Sequence, residues 1–218
     1  MTVYRIPENP KAVLFDIDST LYTNPEYAAF QVEVLIRELA SRRSVPLEKM
    51  RLEVQSARDR ISEKTGKATS LGNAMAELGV DIPTSVAWRE RLIRPRDWLR
   101  RDEKLVEALD ALKDRLSLAA VTNNPRSVGS ASLDALGVRA FFRAVVGLDD
   151  TMVSKPAREP FELAARLLDA PVSSCISVGD RWDVDLAVPL DLGMGAVLVV
   201  GVQDVYRLLE ELTGLGRA

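Results

Sequence analysis

The sequence predicts an α/β fold: a doubly wound parallel sheet with a helical insert after its first strand. Three observations predict it. Short apolar runs without polar alternation recur along the chain, as strands covered on both faces should read. Helical segments separate those runs beyond residue 100, which is the rhythm of right-handed strand–helix–strand crossovers. A long stretch of helical periodicity lies between the first run and the second. The length of 218 residues, 47% of them hydrophobic and 28% charged, suits a core domain with a small insert.

Taken in order, the first strand is the apolar run ending at Phe15, and it stops at Asp16-Ile17-Asp18-Ser19-Thr20. Residues 24–100 then break the rhythm. Val32, Leu35, Ile36 and Leu39 form one helical stripe, and Leu47, Met50, Val54, Ala57 and Ile61 form another. A third segment runs from Ser70 to Leu78 and stops at Gly79. The expected organisation is therefore a core of residues 1–23 and 101–218 with a helical unit, 24–100, inserted into it. Within the core, Asp102 can cap a helix through Leu105, Leu109 and Leu112. Leu116 to Thr122 reads as the second strand, and Asn124-Pro125 as a cap and first-turn proline for a helix ending near Gly137. Ala144 to Gly147, Cys175 to Gly179 and Ala196 to Val200 read as further strands, and Glu159 to Leu168 and Val205 to Leu212 as helices.

Composition removes several kinds of chemistry. The chain has no histidine, which excludes Ser-His-Asp and Cys-His catalysis, His-ligated zinc and a His general base. Any reaction must use carboxylates, hydroxyls, amines or a bound metal. The net charge of −3 provides no basic field for nucleic acid or an anionic membrane surface. No apolar run is long enough to span a bilayer, and the first residues lack a signal pattern, so a cytoplasmic protein is expected. The single cysteine, Cys175, excludes an internal disulfide and agrees with a reducing compartment.

The candidate chemistry sits at the strand ends, where open α/β sheets bind their ligands. Asp16 and Asp18 leave the first strand on the same face, because strand side chains alternate. Two like charges placed together repel, which a divalent cation or a division of catalytic roles would justify. The second strand ends in Thr122-Asn123-Asn124 before a helix, where a hydroxyl and free N–H groups suit an anion. Ser154-Lys155-Pro156 follows the third, and Gly179-Asp180 through Asp185 the fourth. Singly, these read as a helix cap, a solvated lysine and an acidic turn. Jointly, they converge on one edge of the sheet.

Asp16-Ile17-Asp18-Ser19-Thr20, Thr122, Lys155-Pro156 and Gly179-Asp180 through Asp185 resemble the four motifs of the haloacid dehalogenase superfamily. Phe15-Asp16-Ile17-Asp18 with Leu21-Tyr22 looks like its branch of pyrimidine 5′-nucleotidase-like phosphatases. The resemblance implies a Mg²⁺-dependent phosphomonoester hydrolase. Asp16 would be the nucleophile that forms an aspartyl-phosphate, and Asp18 the general acid and base. An aspartate in the Asp18 position points to phosphate rather than carbon–halogen chemistry. Asp16, Asp180 and the Asp18 carbonyl would hold Mg²⁺, with Asp185 supporting it indirectly. Thr122, the Asn123 N–H and Lys155 would bind the phosphoryl oxygens.

The insert would be the superfamily's helical cap, and the substrate a small phosphorylated metabolite such as a nucleotide or sugar phosphate. A phosphotransferase or phosphomutase using the same intermediate, and a non-catalytic binding protein on this fold, stay open as alternatives. Joint retention of Asp16, Asp18, Lys155 and Asp180 argues against the second. Two departures stand out: Val184 where many relatives are polar, and Pro189 inside the expected last helix, which should shorten or distort it. The basic, aromatic stretch containing Trp88, Arg89, Arg91, Arg94, Arg96, Trp98, Arg100 and Arg101 reads as a solvated face and hinge, or as the source of one arginine for an anionic substrate. Tyr22, Tyr27 and Thr69-Ser70 are expected to line the cleft between cap and core. No motif in the sequence marks the physiological substrate or an oligomeric state.

Overall fold

The computed structural model describes residues 1–66 and 69–214; residues 67–68 and 215–218, which fall inside the two expected spans, lie outside the described residues. The chain enters through β1 (Thr2–Arg5) and β2 (Ala12–Phe15), the latter buried at every position. Five helices follow: α1 (Pro25–Arg43), α2 (Leu47–Thr65), α3 (Leu71–Glu77), α4 (Ile82–Leu92) and α5 (Pro95–Trp98). Strands and helices then alternate through α6 (Glu103–Lys113), β3 (Ser117–Val121), α7 (Arg126–Leu136), β4 (Phe142–Val146), α8 (Leu148–Thr151), α9 (Glu159–Leu167) and β5 (Cys175–Gly179). A π-helical turn over Trp182–Leu186 leads into α10 (Ala187–Asp191), followed by β6 (Gly195–Leu198), α11 (Val202–Val205) and α12 (Leu208–Gly214).

Among the described residues, six strands form one sheet in the order β1-β6-β5-β2-β3-β4. All neighbours are parallel except β1, which runs antiparallel to β6 along one edge. The chain runs from β2 outward to β3 and β4, then crosses back to β5 on the other side of β2. The strand order therefore reverses beside β2, and the crevice at that switch point is where ligands bind in such sheets. Phe15 pairs with Ala120 and Val178, so Asp16, Val121 and Gly179 leave their strands level with one another.

Alternation of side chains divides the core by face. Val13, Phe15, Leu118, Ala120, Ile176 and Val178 pack under Leu105, Leu109, Leu133 and Val205. On the opposite face, Ala12, Leu14, Ala119 and Val121 pack under Phe161, Ala164 and Leu168. The inserted helices have a third cluster, built on Leu35, Leu39, Met50, Val54, Ala57, Met75 and Trp88. Burying one such aliphatic side chain is worth about 1.5–3 kcal/mol, so the insert carries its own driving force for packing. Asn24 ties its two connections together: Oδ1 accepts from Tyr27 N at 3.0 Å to cap α1, and Nδ2 donates to the Trp98 carbonyl at 3.2 Å.

Several local expectations change. β1 has no apolar signature, because most of its residues are exposed at the edge. The helix expected over Val205 to Leu212 is two short helices. Asn124 does not cap α7: Pro125 holds the cap position, and Asp149 Oδ1 instead accepts from Arg126 N at 2.7 Å. Pro189 has no N–H for the carbonyl four residues back, that of Asp185; the Ser177 hydroxyl donates to it instead, at 2.7 Å. The segment around Pro189 is accordingly a π turn and a five-residue helix.

Candidate active site

Lys155 is clamped between two carboxylates at the switch point. Its Nζ donates to Asp16 Oδ1 at 2.6 Å and to Asp185 Oδ1 at 2.7 Å, and all three side chains are at most 2% exposed. Asn123 fixes the lysine's backbone from the end of β3, accepting from Lys155 N at 2.7 Å and donating to its carbonyl at 3.2 Å. Burial alone would lower the ammonium pKa, but Asp16 and Asp185 outweigh it and the net direction is up. The Asp185 carboxylate is fully engaged, since Oδ2 accepts from Arg181 N at 3.1 Å. Gly179 makes room for it: a Cβ there would stand 2.4 Å from the Asp185 Cβ.

Asp180 has no such partner. Its Oδ1 is buried without a hydrogen bond among the described residues, and the nearest guanidinium nitrogen, Arg181 Nε, is 3.7 Å away. Burial, and then the neighbouring Asp16 charge, push the Asp180 carboxyl up to about 7. Oxygens of Asp16, Asp180 and Asp185 all lie within 4.8 Å of one another. Three carboxylates against the Lys155 ammonium and the more distant Arg181 guanidinium leave one negative charge uncompensated, and hard oxygen donors with one orphaned atom fit a divalent cation such as Mg²⁺. Asp16 and Asp180 are the residues that would hold it, because Asp185 is committed to Lys155 and Arg181.

Asp18 belongs to a different network. The backbone leaves the strand in a tight turn in which Thr20 N and Leu21 N both donate to the Ile17 carbonyl, with Ser19 left-handed at φ 64°. Asp18 Oδ1 accepts from the Tyr22 hydroxyl and from Gln31 Nε2 at 2.8 Å. Oδ2 accepts from Asn124 Nδ2 at 3.0 Å and, at 3.5 Å, from Thr122 Oγ1. Burial first, and then Asp18, raise the Tyr22 phenol far above its ordinary pKa, so it acts as a donor. The two aspartates are thus differentiated: Asp16 faces the lysine and the acidic cluster, while Asp18 faces amides and hydroxyls.

All seven predicted residues, Asp16, Asp18, Thr122, Asn123, Lys155, Asp180 and Asp185, meet in this crevice. Gln31, Asn124 and Arg89 also reach it; Arg89 belongs to the basic stretch that could supply an arginine for an anionic substrate and Asn124 to the anion-suited end of the second strand, whereas Gln31 has no place in the motifs. A cleft of about 230 Å³ between the inserted helices and the sheet edge is lined by Gln31, Ser70, Arg89, Asn124, Asp180 and Arg181, among others. Gln31 had a signal: it lies with Tyr27, Leu35 and Leu39 on the buried side of α1. Trp88 is elsewhere, inside the insert's core under the Arg42 guanidinium, and Tyr27 is buried against Trp98 rather than lining the cleft.

Known proteins similar to this chain identify its family. The chain is 27% identical over 209 residues to the 5-amino-6-(5-phospho-D-ribitylamino)uracil phosphatase YigB of Escherichia coli (strain K12), covering 90% of this chain and 86% of that one. It is 29% identical over 186 residues to the phosphoglycolate phosphatase of Pseudomonas syringae pv. syringae (strain B728a), covering 82% of this chain and 65% of that protein. Its fold resembles the crystal structure of a HAD phosphatase from Thermococcus onnurineus, with a TM-score of 0.59 at 23% identity over 87% of this chain and 86% of that one. A sequence model of the haloacid dehalogenase-like hydrolases matches residues 10–189, and the chain belongs to that family.

Proposed function

We propose that the chain is a Mg²⁺-dependent phosphatase that hydrolyses a small phosphorylated metabolite through an aspartyl-phosphate on Asp16. The observation that carries this reading is the pairing of differently solvated aspartates: Asp16 clamped by Lys155, and Asp18 held by four neutral donors. An Asp16 oxygen attacks phosphorus as the bond to the ester oxygen breaks, and Asp18 gives its proton to the departing oxygen. Asp18 then takes a proton from water, whose oxygen attacks phosphorus and releases Asp16. Lys155, Thr122 and the Asn123 N–H offset charge on the phosphoryl oxygens. Mg²⁺, held by Asp16, the Asp18 carbonyl and Asp180 and supported by Asp185, would neutralise charge on the transferring group.

In the same reading, residues 24–100 form a cap that closes over the core of residues 1–23 and 101–218 and sets substrate choice. Three bridges support this: Gln31 to Asp18, Asn73 Oδ1 accepting from Ser154 Oγ at 3.1 Å, and Glu90 Oε1 accepting from Ser127 Oγ at 2.7 Å. Among the described residues no helix is long and apolar enough to cross a membrane, and the buried free thiol of Cys175 suits a cytoplasmic location. The test is release of phosphate from p-nitrophenyl phosphate with and without Mg²⁺. Wild type should need the metal, and Asp16→Asn should lose on the order of 10³-fold or more. Equal turnover by Asp16→Asn would sink the proposal.

A further inference from the structure

Arg89 is a buried cation that the acidic centre leaves unmatched. It lies on α4 and is 7% exposed. Its two protein contacts are neutral: Nη1 donates to Asn124 Oδ1 at 2.9 Å, and Nε to Ser85 Oγ at 3.3 Å. A guanidinium carries five donors, so three go unused. The other cations here are committed, Lys155 to Asp16 and Asp185, and Arg181 to Asp180 at 3.7 Å and Asp185 at 4.0 Å. Among the described residues Arg89 makes no ion pair. Burial lowers its pKa to about 10, with Asp18 acting the other way, so it stays charged at neutral pH.

A buried, unpaired charge is costly unless a partner arrives to offset it. Arg89 lines the cleft beside Asn124, and three of its donors have no protein acceptor among the described residues. A planar guanidinium fits a carboxylate or phosphate through paired hydrogen bonds. Its place is also informative. Asn124 joins Arg89 to Asp18, so the cation stands one residue from the group assigned to protonate the leaving oxygen. An anion bound there would sit on the leaving group, a few bonds from the ester oxygen. The cleft of about 230 Å³ is below the roughly 300–1,000 Å³ of drug-sized sites, which suits a small acid.

We infer that Arg89 is the specificity-determining residue, selecting phosphomonoesters whose leaving group carries a second anionic group, a carboxylate or another phosphate. This rests on the phosphatase reading above. The experiment compares kcat/KM for 2-phosphoglycolate, for its uncharged amide isostere, for 1,3-propanediol bisphosphate and for p-nitrophenyl phosphate. Wild type should favour one of the two esters that carry a second anionic group over the amide by roughly 10- to 100-fold, the scale of a charged hydrogen-bonded contact; which one wins identifies the second anion. In Arg89→Met that ratio should collapse to about 1, whatever the common loss of rate, and Arg89→Lys should restore part of it. If Arg89 served only to hold Asn124, all four substrates would slow together and the ratio would survive, overturning the inference. Equal wild-type rates on the amide and the acids would also overturn it while leaving the phosphatase reading intact. Failure to hydrolyse even p-nitrophenyl phosphate would remove both.

Discussion

Asn124 and Gln31 are bonded to each other across the boundary between sheet and insert, Nδ2 to Oε1 at 2.8 Å, and each also donates to a different oxygen of Asp18. Their amide orientations are forced. Arg89 can only donate, so the Asn124 oxygen must face it and the Asn124 nitrogen must face Asp18. Gln31 comes from α1, so one of the donors that orient Asp18 is present only while the insert rests on the sheet.

Gln31→Leu removes that donor and leaves the Asn124 amide with one acceptor fewer. A hydrogen bond to a charged group is worth about 1.5–3 kcal/mol, so kcat/KM on an aryl phosphate should fall about 10- to 100-fold. Gln31 is only 7% exposed and bonded within the site, so Asp18 rather than the fold should suffer most. Unchanged kinetics in the variant would mean that Asp18 needs no support from the insert.

Lys155 is a structural counter-charge, whatever it binds besides. Lys155→Met leaves Asp16 and Asp185 buried with no ammonium between them. Breaking one side of a buried ionic cluster costs about 3–5 kcal/mol, which a urea titration would register as a lower midpoint. Added Mg²⁺ should raise that midpoint again, because a bound cation stabilises by mass action and supplies the missing positive charge. A variant as stable as wild type without metal would remove the counter-charge role.

The sheet and its acidic edge were legible for one shared reason. Parallel strands buried on both faces read as unbroken apolar runs, so their ends, and hence Asp16, Thr122 and Asp180, could be placed by position alone. The apolar run of β4 reads as starting at Ala144, two residues late, because exposed Arg143 interrupts it, and β1 has no such run because it lies at an exposed edge. The polar shell around Asp18 was harder to see. Asn124 precedes a proline and so reads as a helix cap, yet its partners Gln31 and Arg89 lie 93 and 35 residues away in sequence. Pairings that distant are set by how the insert folds back, and no local pattern encodes them.

Gly179 has a steric role that substitution can isolate. Alanine there would place a Cβ 2.4 Å from the Asp185 Cβ and 2.9 Å from its Oδ2, distances that real side chains do not tolerate. Asp185 must then shift, and with it one of the two carboxylates that hold Lys155. Gly179→Ala should lose most phosphatase activity and about 1–3 kcal/mol of stability, the usual cost of overpacking. Wild-type turnover and an unchanged melting temperature together would show that Asp185 can move freely.

Cys175 supplies a pH dependence separate from the catalytic centre. Its side chain is fully buried at the start of β5, with Sγ 3.4 Å from the Pro171 carbonyl, and burial pushes the thiol from its ordinary value near 9 up to about 11. In the native protein it should therefore resist thiol reagents at pH 8 and react only in denaturant. The raised value also has a sign for stability. A group whose folded pKa lies above its unfolded one contributes stability below the unfolded value and loses it as pH rises through the folded value. Cys175→Ala should be less stable than wild type near pH 7, having lost a buried sulfur. That gap should narrow by about 2 kcal/mol by pH 10.5, because the wild-type thiol ionises far more in the unfolded chain than in the folded one there. Urea midpoints for the two proteins at pH 7, 9 and 10.5 measure it, and a gap that stays constant across that range would contradict the buried neutral thiol.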